Sequence, residues 1–110
     1  MSDGNGAFED DDDLEAFREE YEEHREALFQ LMTDYADEKQ LDDGLFAALV
    51  LDIAVSTRML GYAYSVEKPS VAGLRLELDR FAKDAAEHVR EVKAGAEEFI
   101  AEVKANRDAE

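Results

Sequence analysis

Apolar residues recur at intervals of three and four over most of this chain, and that period limits the fold more than any other feature. In the first segment the steps are 3, 4, 3, 4, 3 and 4. The residues of this stripe are Leu14, Phe17, Tyr21, His24, Leu28, Leu31 and Tyr35. Such spacing places side chains on one face of an α-helix. It predicts a first helix over about 11–40, and Asp10–Asp13 suit its N-terminus, where the helix dipole favours negative charge.

The second segment, Gly44–Val66, has apolar residues on two nearly opposite helical faces and carries only Asp52 and Arg58 as charges. We expect a helix over 44–66, with Asp42 or Asp43 as N-cap. Its length approaches that of a membrane span. Because two charges near the centre and acidic flanks oppose insertion, we expect no membrane contact. The prediction is a central helix, buried by neighbours on both sides.

The third segment follows a break at Glu67–Ser70, where Pro69 disfavours helical geometry in the residue before it and Ser70 is available as a cap. Its stripe predicts one nearly straight helix over about 71–105. The stripe consists of Leu74, Leu78, Phe81, Ala85, Val89, Val92, Ala96, Phe99 and Val103. Three helices with short loops predict an all-α fold, a three-helix antiparallel (up-down-up) bundle with long first and third helices. It would form a single helical domain over 10–110, after a flexible N-terminal arm over 1–9.

The predicted helices differ in length, and the difference points to a partner. The middle helix would span about 34 Å and the third about 50 Å, so the third extends beyond its neighbour. Since exposed apolar stripes mark interfaces, we expect a homodimer with two-fold symmetry. The expected interface residues are Leu51, Val55, Tyr62, Ala96, Phe99, Ile100 and Val103. In the alternative, the third helix ends or bends near Gly95 and folds its tail back over its own chain.

The charge of −17 on 110 residues arises from 29 acids against 12 Lys and Arg, and the acids are spread along the helical segments. Self-repulsion of this kind is screened over about 3 Å at 1 M salt. The composition is similar to that of haloarchaeal proteins, which work in molar KCl, and it predicts a salt-rich cytoplasm. An acidic nucleic-acid mimic is the alternative, but its charge would be concentrated on one face. We expect no binding to nucleic acid, because that requires a net basic surface.

Four polar residues form a candidate polar core site: Asp52, His88, Arg58 and His24. A buried carboxylate requires a partner, and His88 lies at a similar height to Asp52 in the predicted bundle. Arg58 is expected to meet an acid of a neighbouring helix, such as Glu26 or Asp79. Ion pairs that fix the register of the helices explain these residues better than catalysis does.

The sequence contains no complete catalytic or cofactor motif. Cysteine is absent, which excludes disulfides and thiolate metal sites. The Glu-x-x-His spacing of ferritin-like metal sites fails, since Tyr21 and Ala85 occupy the positions three before the two histidines. We therefore expect a non-enzymatic helical interaction or assembly module of a salt-adapted cytoplasm, without cofactor, that acts as a homodimer or on another protein. The alternative is a metal-dependent nucleotide or phosphate-ester hydrolase that uses clustered helix carboxylates.

Overall fold

The computed structural model describes residues 11–109, so the predicted arm over 1–9 lies outside the described residues. The described chain forms helices α1 (Asp11–Glu38), α2 (Asp43–Ser65), α3 (Val71–Ala94) and α4 (Ala96–Ala109), and it contains no strand. The all-α prediction is confirmed. The first two helices agree with their predicted bounds to within two residues.

The prediction of one long third helix, and with it the count of three helices, is wrong. Gly95 separates α3 from α4, with φ −101° and ψ 13° in place of the helical values near −63° and −42°. Its N–H donates to the Val92 carbonyl at 3.0 Å, and its own carbonyl accepts from the Phe99 N–H at 3.0 Å. Helical bonding therefore resumes after a single residue. Glycine costs about 1 kcal/mol relative to alanine inside a helix, and the apolar period gives no sign of this cost.

Two helices begin at residues whose side chains cap them. Asp42 accepts a hydrogen bond from the Leu45 N–H through Oδ1 at 2.8 Å, so Asp42 is the predicted N-cap of α2. Ser70, in extended conformation at φ −137° and ψ 161°, accepts from the Gly73 N–H through Oγ at 3.0 Å. These caps satisfy backbone donors that have no partner in the first helical turn.

The loop after α1 is a Schellman motif built on an unusual residue. The Leu41 N–H donates to the Ala36 carbonyl at 2.9 Å, and the Gln40 N–H donates to the Asp37 carbonyl at 3.2 Å. Gln40 adopts φ 58°, in the left-handed region where glycine is usual. The apolar contact that accompanies such motifs fits here, since Ala36 is buried and Leu41 half-buried.

The described chain divides into two compact units, residues 11–48 and residues 49–109, with the boundary inside α2. In the first unit, the covered side chains lie around the loop between α1 and α2. Ala36 is buried, and the half-buried residues are Met32, Thr33, Leu41 and Phe46. The N-terminal part of α1, residues 11–31, is exposed throughout.

In the second unit, α2 and α3 form an antiparallel helical hairpin. Arg58 meets Glu77 and Tyr62 meets Gly73, and both pairs are centred between residues 67 and 68, within the loop at residues 66–70. The half-buried residues of α2 and α3 in this unit are Val50, Ala54, Val55, Tyr62, Gly73, Leu74, Glu77, Leu78 and Phe81. No residue of α2 is buried, so the prediction of a buried central helix is wrong for a single copy of the chain.

We expect Gln40→Gly to stabilise the fold, because glycine adopts the left-handed conformation without the steric cost of a Cβ. The gain should be about 1 kcal/mol, measured by urea denaturation followed by circular dichroism. Lys39→Gly is the matched control, since Lys39 does not have a positive φ and glycine there should destabilise the end of the helix. Equal effects of the two substitutions would contradict the role given to Gln40.

Candidate interaction surface

Arg58 connects the two helices of the hairpin. Its Nη2 donates to Glu77 Oε2 at 2.5 Å, and its guanidinium carbon lies 5.6 Å from the centre of the Phe81 ring. Of the acids expected to meet Arg58, Asp79 lies two residues beyond the true partner. Two helical steps rotate a side chain by about 200°, so Glu77 and Asp79 point to nearly opposite faces of α3. The sequence predicted the kind of partner for Arg58 but named the wrong acid.

The Arg58 arrangement is a structural clamp. The Glu77 carboxylate pairs with the guanidinium, and the guanidinium carbon lies over the Phe81 ring. Both side chains of the ion pair keep contact with water, and such pairs contribute about 1 kcal/mol or less. In this geometry Arg58 of α2 lies opposite Glu77 of α3.

The other three polar candidates are exposed. Asp52 and His88 belong to the same unit, yet no hydrogen bond or ion pair joins them in the described structure. The predicted Asp52–His88 contact is therefore not formed. His24 lies one helical turn from Glu20, with Nε2 3.8 Å from Glu20 Oε2, and its side chain is solvent-exposed. The predicted polar core site does not assemble, because no core surrounds these residues.

The Tyr62 side chain of α2 lies against the start of α3 at Gly73. The Ser70 N–H donates to the Tyr62 hydroxyl at 3.2 Å. A Cβ atom at Gly73 would overlap that hydroxyl and lie 2.9 Å from Tyr62 Cζ. Sequence reasoning placed Tyr62 in an interface between copies and assigned no role to Gly73. The sequence signal that could have revealed this contact is a lone glycine and a tyrosine at similar distances on either side of the Pro69 loop.

We expect Gly73→Ala to destabilise the hairpin by about 1–3 kcal/mol, because the added methyl group displaces Tyr62. Gly61→Ala is the matched control, since a Cβ there meets nothing within 4 Å and should raise helix stability by up to about 1 kcal/mol. Urea denaturation measures both. In a Tyr62→Ala background, Gly73→Ala should become neutral or stabilising, and a penalty that persists there would contradict the explanation.

The paired carboxylates of α1 form an open surface along one helix. The residues that line it are Glu15, Arg18, Glu19, Glu22 and Glu23. Within the part of the chain that the structure describes, no group of three or more His, Asp or Glu side chains is placed to hold a metal ion. The geometry of these carboxylates gives the hydrolase hypothesis no specific support.

Uncovered apolar surface is the main property of the described chain. Ala36, at 6% exposure, is the one buried residue among residues 11–109. Of the expected interface residues, Leu51, Ala96, Phe99 and Ile100 are exposed and Val55, Tyr62 and Val103 are half-buried. At the loop end of the hairpin, Met59, Leu60, Val71 and Leu74 line an open apolar groove. An apolar surface of this extent is the candidate functional site, as a place of contact between chains.

One described helix is long and apolar enough to cross a membrane. It is α2, with 23 residues and a mean hydropathy of 1.5 over its most apolar window. A core helix of a water-soluble protein meets the same length and composition criteria, so this property alone assigns no location.

Comparison with known proteins finds no matching family model, no similar curated protein and no similar solved structure. The functional argument therefore depends on the geometry and the charge of this chain.

Proposed function

We propose that this protein is a non-enzymatic helical assembly module that associates with copies of itself in a salt-rich cytoplasm. The observation that carries the proposal is the lack of a core in one copy. Ala36 is the single buried residue of the described chain, while large apolar side chains on all four helices are exposed. Because helices in proteins gain most of their stability from tertiary packing, these helices need a further surface to cover their apolar faces.

The charge distribution supports the salt-rich setting. The 29 acids of the sequence include members on each described helix, so two associating copies bring large like charges together. At molar salt, repulsion between charges more than about 3 Å apart is largely screened. Apolar association is strengthened or left intact under those conditions, since it does not depend on charge. Self-association and high ionic strength are therefore compatible requirements of this chain.

We expect the helical circular-dichroism signal to melt at a higher temperature in 2–3 M KCl than in dilute buffer. A shift of about 4–8 °C corresponds to each kcal/mol of stabilisation in a domain of this size. Trehalose at equal osmolality is the control, because it is excluded from protein surfaces but does not screen charge. Equal melting temperatures with and without KCl, or equal shifts in KCl and trehalose, would contradict the role of charge.

We expect Phe99→Glu to weaken self-association about tenfold or more, because it places a carboxylate in the apolar stripe of α4, where Phe99 is 62% exposed. Ala101→Glu is the matched control. It adds the same charge two residues on, on nearly the opposite side of the helix. Sedimentation equilibrium in 2 M KCl measures both association constants. Equal constants for the two variants would remove Phe99 from the interface.

Two further results would overturn the assembly proposal itself. The first is a parent protein that remains monomeric at micromolar concentration in every KCl concentration at which it is helical. The second is recovery of the parent protein with lipid vesicles in a flotation assay, which would indicate that the apolar surface of α2 meets a membrane. Hydrolysis of nucleotides or phosphate esters in the presence of Mg²⁺ or Mn²⁺ would instead favour the enzyme.

A further inference from the structure

The apolar stripe of α1 has the period of a coiled coil. From Leu14 to Tyr35 it averages 3.5 residues per step, which is the spacing that keeps a seam facing a supercoiled partner helix. Its six apolar members are between 39% and 68% exposed: Leu14, Phe17, Tyr21, Leu28, Leu31 and Tyr35. α1 is a continuous helix of 28 residues, and the seam from Leu14 to Tyr35 occupies about three heptads of it.

We propose that α1 pairs with α1 of a second copy as a parallel, in-register coiled coil. This inference rests on the proposed function and names one of its contact surfaces. In heptad notation, Leu14, Tyr21, Leu28 and Tyr35 are the a positions, and Phe17, His24 and Leu31 are the d positions. His24 is the polar member of this seam. A polar residue at a core position fixes the register of a coiled coil at some cost in stability, which fits an in-register pair.

The charged residues beside the seam indicate which helix can pair with it and in which orientation. The residues that precede a positions, called g, are Asp13, Glu20, Ala27 and Asp34, and the residues that follow d positions, called e, are Arg18, Arg25 and Met32. One flank of the seam is therefore acidic. The other flank holds both basic residues of α1.

A parallel pair brings opposite charges together. Each g residue then faces the e residue five positions further along the other helix. Asp13 of one copy meets Arg18 of the second, and Glu20 meets Arg25, on both sides of the two-fold axis. In an antiparallel pair, g residues face g residues and e residues face e residues, so acids meet acids and arginines meet arginines. This charge complementarity favours a second copy in parallel orientation.

The available area suits a contact of this kind. Half-exposed leucine and aromatic side chains bury on the order of 100 Å² each when covered, so six contribute roughly 600 Å² per copy. A standard stable interface buries about 800 Å² per partner. Surface beyond the seam, such as the exposed apolar residues of α4, can supply the difference. The apolar layers provide the affinity, and the flanking charges provide the orientation.

Cysteine cross-linking tests the orientation, because the sequence has no cysteine of its own. Under mild oxidation, Leu14→Cys should form a disulfide with itself, and so should Tyr35→Cys. In an equilibrated mixture of the two variants, only like-with-like cross-links should form. An antiparallel pair would give the mixed cross-link instead. Glu26→Cys, on the outer face of the same helix, is the control and should remain uncross-linked.

Charge reversal tests the flank pairs at the lowest KCl concentration that keeps the parent helical. Glu20→Arg should weaken association about tenfold, since it places two arginines opposite each other at two symmetric sites. Glu19→Arg is the matched control: it changes the net charge equally, but it lies on the outer face and should not weaken association. Adding Arg25→Glu to Glu20→Arg should restore the parent's affinity.

The outcomes separate the two proposals. A parent that does not self-associate would refute the assembly module and this inference together. A parent that self-associates, while Leu14→Cys stays uncross-linked or the mixed cross-link forms, would overturn the α1 pairing and leave the assembly module intact. Equal weakening by Glu20→Arg and Glu19→Arg would also overturn the pairing of the flanks.

Discussion

The main constraint on this structure is that a single copy of the chain buries very few of its apolar side chains. Helices form readily in this sequence, since caps, a regular apolar period and the absence of internal proline favour them. Packing within one copy covers little: the Arg58 clamp and the Tyr62–Gly73 contact fix the α2–α3 hairpin, yet every residue of that hairpin remains at least partly exposed. The chain thus has well-defined helices whose apolar faces stay exposed in one copy. Association with a second chain is the most direct way to cover those faces.

Electrostatic repulsion opposes the association of two copies, whereas burial of apolar surface favours it. Each copy carries −17, so association concentrates negative charge while it covers apolar surface. The range of the repulsion is set by the ionic strength, whereas the apolar contribution persists at high salt. If copies associate as proposed, salt acts on both the folding and the assembly of this chain. The acidic composition supports the proposed salt-rich solvent, and the exposed apolar stripes support the proposed contact between copies.

The sequence predicted the helices well and the packing poorly, for a physical reason. Local signals, such as the Asp42 and Ser70 caps and the Pro69 break, predicted the bounds of α1 and α2 and the start of α3 to within two residues. The break at Gly95 was only the alternative prediction, because one glycine does not disturb an apolar period. The left-handed conformation of Gln40 was missed, because glutamine gives no sign of it. The apolar composition of α2 shows that it needs cover, but does not say which helix supplies it. Its predicted burial, and the polar core site that depended on that burial, therefore failed.

The charged residues of α1 indicate the orientation of the paired helices, which the apolar residues do not. A stripe of leucine and aromatic side chains is compatible with a helix of the same chain, a parallel copy or an antiparallel copy, because apolar burial has no direction. One flank of the α1 seam is acidic at Glu20, and the other is basic at Arg25. These flanks bring opposite charges together only when the two copies run parallel. In molar salt these pairs add little affinity, yet ions in direct contact are screened less than distant ones. The few basic residues of an acidic helix can therefore determine how it pairs, even where they contribute little to how tightly it binds.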